Sequence, residues 1–80
     1  MPTVHQQDGF QFRIYPNDHD PAHVHAWKAG VVAKIGLGDD ETAPYPMDLG
    51  AMRTGDVRRA IRIVEEHQAT LLNEWRKHHA

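Results

Sequence analysis

The chain contains neither cysteine nor serine. The first absence removes disulfides and thiolate-held zinc as sources of stability and fits a reducing compartment. Together the two absences remove the serine and cysteine nucleophiles of covalent hydrolases. Long apolar runs are missing as well. No stretch approaches the ~20 residues that a membrane span needs, and MPTVHQQDGF has neither the basic region nor the apolar core of a secretory signal. Excess positive charge is the fourth absence. The formal net charge is −2 over 80 residues, with seven histidines counted as neutral. Bulk charge therefore does not mark a nucleic-acid-binding domain, and any basic surface must be local. Protonation of the histidines near pH 6 would carry the net charge toward positive. These absences lead to the expectation of a soluble cytoplasmic protein with no membrane contact. A single domain over 1–80 lies near the lower size limit for an unstapled core. Oligomerisation, as a homodimer or with a small cognate protein, is the expected supplement.

What is present begins with alternation. Phe10, Phe12 and Ile14 share one parity, with Gln11, Arg13 and Tyr15 on the other, as in a half-buried strand. Asp8-Gly9 ahead of it is a hairpin signal to a short strand around Thr3 to His5. After the turn formers PNDHDP, Val24 and Ala26 alternate with His23, His25 and Trp27. Ala29-Gly30 turns the chain into Val31, Ala33, Ile35 and Leu37. Residues 1–37 thus predict a three- to four-stranded antiparallel meander. Residues 38–53 predict a loop in which YPMDLGAM holds a short edge strand, limited by its prolines.

The remainder, 54–78, predicts one long C-terminal helix. At 100° per residue, Val57, Ala60, Ile61, Val64, Leu71, Leu72 and Trp75 form one stripe, and Ile63 falls on its flank, as if to meet another chain. Thr54 is the expected N-cap, and Asp56 suits the positive end of the helix dipole. The fold class is α+β: a small two-layer domain with the helix covering one face of the sheet. Arg53, Arg58, Arg59 and Arg62 crowd the helix start. They read either as a solvated face, with Arg62 paired to Glu65 and Glu66, or as phosphate contacts. His67 is expected at the core edge, bonded to a backbone carbonyl, and His78 and His79 at a frayed end.

The densest chemistry lies in DHDPAHVHAWK, Asp18 to Lys28. In a strand, His23 and His25 point to one face, away from the helix, together with Trp27, Arg13, Tyr15 and Lys34. Three readings compete. In the first, His23 and His25 hold zinc or a similar ion, with His19 or Asp20 closing a third side. In the second, Asp18 or Asp20 orients His23, His25 completes the acid–base set, and Lys34 or Arg13 stabilises phosphorane charge. Tyr15 and Trp27 then stack bases, as in metal-independent RNA cleavage. In the third, Asp18 and Asn17 cap turn amides, Pro21 fixes a corner, and the histidines bond loop carbonyls or line a dimer interface. Site residues on these readings are His23, His25, Asp18 and Lys34 for catalysis and Arg13, Tyr15, Trp27, Arg58 and Arg62 for binding. His19, His23 and His25 are the metal set. No cofactor is required, and zinc is the ion the first reading would take.

The MPTV start, DGFQFRIYPNDHDPAHVHAWK, VVAKIGL and IVEEHQATLLNEW together resemble an uncharacterised family of short bacterial proteins catalogued as a domain of unknown function. The pattern falls on Asp18, His19, Pro21, His23, His25, Lys34 and His67 and covers nearly the whole chain. The resemblance implies a component of a two-protein module in the manner of toxin–antitoxin pairs, with RNA or a protein as its partner. Nothing functional carries over to Asp39–Asp48, where the pattern is matched least.

Overall fold

The computed structural model describes residues 3–79. Five antiparallel strands follow one another in chain order across a single sheet, β1 (Thr3–Gln7), β2 (Phe10–Arg13), β3 (His23–Lys28), β4 (Val31–Gly36) and β5 (Tyr45–Asp48). Two helical segments, α1 (Thr54–Glu66) and α2 (Gln68–His79), follow them. The expectation of three to four strands is therefore one short. The fifth pairs Ile35 with Pro46 and Gly36 with Tyr45. A proline survives there because an edge strand can leave one side of its backbone unpaired.

Local chemistry explains both tight hairpins. At Asp8-Gly9 and at Ala29-Gly30 the two turn residues all have positive φ, 54° and 84°, then 50° and 82°. That backbone matches the right-handed twist of the strands it joins. Asp and Gly enter this region readily; Ala29 does so against its Cβ.

The period-two pattern sorts the sheet as its parity requires. Phe10, Phe12, Ile14, Val24, Ala26, Ala33, Ile35 and Leu37 are buried under the helices, with Val57, Ala60, Ile63, Val64, Leu71 and Trp75 facing them. Ile63 belongs to this core rather than to a flank. The buried face of α1 runs through Val57, Ala60, Ile63 and Val64, whereas Ile61 is only partly covered. A stripe centred on Ile61 and the α2 leucines misses it.

The helical region is broken once. At His67 the backbone leaves helical geometry (φ −119°, ψ 20°), and its N–H is shared between the carbonyls of Ile63 and Val64. The His67 ring is held from β1: its Nε2 donates to Gln7 Oε1 at 3.1 Å, and His5 Nε2 donates to the same oxygen at 2.9 Å. His67 is thus satisfied by a side-chain amide, not by a backbone carbonyl. At the other end of α1 the N-cap is Arg53, with no side-chain cap, and Thr54 is already helical. The Lys28 ammonium reaches Asp56 there at 3.1 Å and fastens the β3–β4 hairpin to the helix start. The loop before β5 is tied down by Gln68, whose side-chain amide donates to the carbonyls of Leu37, Asp39 and Thr42 at 2.8, 3.1 and 3.2 Å.

Candidate functional site

The connection from β2 to β3 folds back on itself at Asp18. Its N–H donates to Tyr15 O at 3.0 Å, and Tyr15 N–H returns a bond to Asp18 Oδ2 at 3.1 Å. This reciprocal turn aims the Asp18 carboxylate at β3, after a cis Asp20-Pro21 bond has redirected the chain. His25 Nε2 lies 3.1 Å and 3.3 Å from its two oxygens and donates to them. Burial pushes the His25 pKa below the ordinary imidazole value, more than the Asp18 carboxylate pulls it up; His23 and Lys34 act in the same direction as burial. The imidazole is thereby kept neutral and oriented. The Tyr15 ring meets it edge-on at 4.7 Å.

His23 departs from expectation. It shares parity with His25 and Trp27, yet it is only 5% exposed. Its ring packs between His25 at 5.1 Å and Trp75 of α2 at 5.3 Å. Nδ1 faces the Pro21 carbonyl at 2.8 Å. A carbonyl oxygen only accepts, so Nδ1 carries a hydrogen, and in the neutral ring Nε2 is then left with the lone pair. Nε2 is buried with no hydrogen-bond partner among the described residues, and the Asp18 carboxylate is 3.7 Å away. In the neutral ring that nitrogen turns its lone pair toward the carboxylate, an arrangement that a cation would relieve.

The end of α2 closes over this group. His79 stacks on Trp75 at 3.8 Å, Nδ1 against Trp75 O at 2.8 Å and Nε2 against Asp18 O at 2.9 Å. Both of its ring nitrogens face carbonyl oxygens, so both bonds are made together only by the doubly protonated ring. Far from fraying, His79 clasps the loop, and no periodicity in the sequence signals it.

Cross-strand register sets the rest of the open face. Arg13 pairs with His25, and His25 with Lys34, giving one row of three nitrogen bases across β2, β3 and β4. The neighbouring row runs Gln11, Trp27, Val32. The Arg13 guanidinium lies over the Trp27 ring, 4.9 Å from its centroid, and donates to Gln11 Oε1 at 2.6 Å. Arg13 Nε and Trp27 Nε1 are both shielded and find no acceptor among the described residues. Beside them a shallow depression is lined by Gln11, Arg13, Trp27 and Lys28, with Gly9 and Gly30 at its rim. In the third row the Tyr45 ring lies over Gly36, where any Cβ would collide with it, next to His23. The sequence reading set Tyr45 in a short edge strand but gave it no place in the site.

Asp18, His23, His25, Tyr15, Arg13, Trp27 and Lys34 therefore share one continuous region. His19 and Asp20 are exposed on the turn, outside the cluster formed by Asp18, His23 and His25. Arg58 and Arg62 are exposed on α1, on the far side of the sheet from this face. Arg62 makes no ion pair with Glu65 or Glu66 among the described residues.

The family described as Domain of unknown function (DUF4160) matches residues 9–76. The chain belongs to this family. No curated protein and no solved structure matches it. The DUF4160 match contains Asp18, His23, His25 and the Trp75 that covers them, while His5 and the His79 clasp lie outside it. No helix among the described residues is long and apolar enough to cross a membrane.

Proposed function

We propose that this DUF4160 chain is one component of a two-protein module of the toxin–antitoxin kind and contacts single-stranded RNA through its open sheet face. The observation that carries the reading is the depression between β2 and the β3–β4 hairpin, lined by Arg13, Trp27 and Lys28. Arg13 is a half-exposed cation in its lining, and Lys34, exposed across from His25, adds a second cation to the same face. Aromatic and guanidinium planes stack unpaired bases without needing their sequence, and nearby cations follow the phosphates.

Fluorescence anisotropy with a labelled single-stranded RNA, in chelator and at low salt, tests it. Binding should weaken on raising salt, by counterion release. Trp27→Ala should cost about 1–3 kcal/mol, as for loss of one stacked base. Lys34→Ala should reduce the salt slope by about one phosphate contact. RNA that stays free at high protein concentration in low salt would sink the reading.

A second reading rests on β5. Met47 and Leu49 are 39% and 38% exposed on the sheet's free edge, the only large apolar side chains so placed among the described residues. Unpaired edge backbone beside apolar side chains favours a protein partner or a second copy of the chain.

A further inference from the structure

We propose that Asp18, His23 and His25 form a mononuclear site for a divalent first-row transition ion. One oxygen of Asp18 and one ring nitrogen from each histidine all lie within 4.8 Å of one another. Ligands at the roughly 2.0–2.1 Å bond lengths usual for zinc stand about 3.3 Å apart around a tetrahedral ion. The His25 Nε2–Asp18 Oδ2 and His23 Nε2–Asp18 Oδ2 separations of 3.1 and 3.7 Å bracket that spacing.

The buried Nε2 of His23 is the independent observation. With Nδ1–H committed to Pro21 O, Nε2 is the nitrogen left to bind an ion: it is buried, has no hydrogen-bond partner among the described residues and is turned toward the carboxylate. A backbone carbonyl holding the far nitrogen of a ligand imidazole is the usual outer support of metal-bound histidine. His25 needs one change: its proton moves from Nε2 to Nδ1, freeing the nitrogen that now donates to Asp18. No net proton is lost, because the ring is neutral on both sides of the shift. Asp18 is held for its role by the Tyr15 amide and, through its own carbonyl, by His79.

Two imidazoles and one carboxylate, with no thiolate anywhere in the chain, select zinc, cobalt, nickel or iron(II) over magnesium and calcium. Three protein ligands leave at least one coordination position for water or an anionic oxygen. Lys34, the cross-strand neighbour of His25 and exposed, opposes the cation but would favour such an anion. The set differs from the His19, His23, His25 set of the sequence reading, because the turn buries Asp18 and leaves His19 outside.

The test uses the full chain after chelator dialysis, titrated with Zn²⁺ by calorimetry and with Co²⁺ by visible absorption. One ion per chain should bind saturably in the micromolar range or tighter, with the ligand-field spectrum of low-coordinate cobalt. Asp18→Asn and His25→Gln should each weaken binding at least tenfold while melting in chelator stays cooperative; His78→Gln should leave it unchanged. Long-range ¹H–¹⁵N spectra of the unmutated chain give an answer that depends on no variant. One equivalent of zinc should shift the His23 and His25 Nε2 resonances. Absence of saturable binding, or shifts confined to His19, His78 or His79, would overturn the proposal.

Discussion

Asp18 shows how much one short side chain can connect. It closes its own turn through Tyr15, orients His25, faces Nε2 of His23 and offers its carbonyl to His79. The sequence marked it as a turn former next to histidines, which is half of this. Its reach to β3 depends on where the turn folds back, seven residues before His25, and no period encodes that distance. His23 was misplaced for a related reason. Parity assigns a face, but a strand's first residue can be roofed by whatever crosses the strand end, here Trp75. His25 gives a prediction about acidity. Its folded pKa is lower than that of the unfolded chain, where an imidazole titrates near 6.5. Between those values the unfolded chain binds more protons, so stability rises with pH across the interval. The contribution is complete above about pH 6.5 and disappears as pH falls through the folded pKa. In chelator, urea midpoints measured from pH 8 to 5 should fall toward acid, and His25→Gln should flatten that fall. Parallel curves for the two proteins would contradict it.

Among the elements, the four N-terminal strands were legible because alternation, Asp8-Gly9 and Ala29-Gly30 agree on register. β5 was only half legible, since two prolines interrupt the strand signal while the edge tolerates them. The helix was legible in extent, from Thr54 to His79, but its break was not. His67 leaves helical geometry where Gln7 of β1 holds its ring, a contact across 60 residues. The second hairpin carries a cost that can be removed. Ala29 adopts φ 50°, a conformation about 1–2 kcal/mol unfavourable for a residue with an ordinary Cβ. Ala29 is exposed. Ala29→Asn, giving the Asn-Gly pair that this turn geometry prefers, should stabilise the chain by about 0.5–1 kcal/mol in denaturant titrations. An unchanged or lowered midpoint would count against the turn assignment.

The whole molecule is asymmetric: one sheet face is sealed by helices, the other presents His25, Arg13, Trp27 and Lys34, and one edge offers Met47 and Leu49. A chain this short has little core to spare, which is why the sequence reading looked to a second subunit for more. The edge is where such a subunit would add strands and apolar cover together. Light scattering across a concentration series should show a dimer at high micromolar protein. Met47→Lys with Leu49→Lys should return it to monomer with the melting temperature of the dilute chain. A strictly monomeric unmutated protein would remove this edge as the interface and leave the open face as the surface of interest.

The His79 clasp also has a kinetic meaning. Every strand pairing in the meander joins neighbours along the chain, so the sheet can zip up from local hairpins. The bond from His79 to Asp18 spans 61 residues, and the Trp75 cover over His23 is nearly as distant. Such long closures come late, after hairpin formation has shortened the effective loop. The histidine cluster is therefore roofed only when the last helix docks, and a spectroscopic signal from Trp75 against His23 would time that docking.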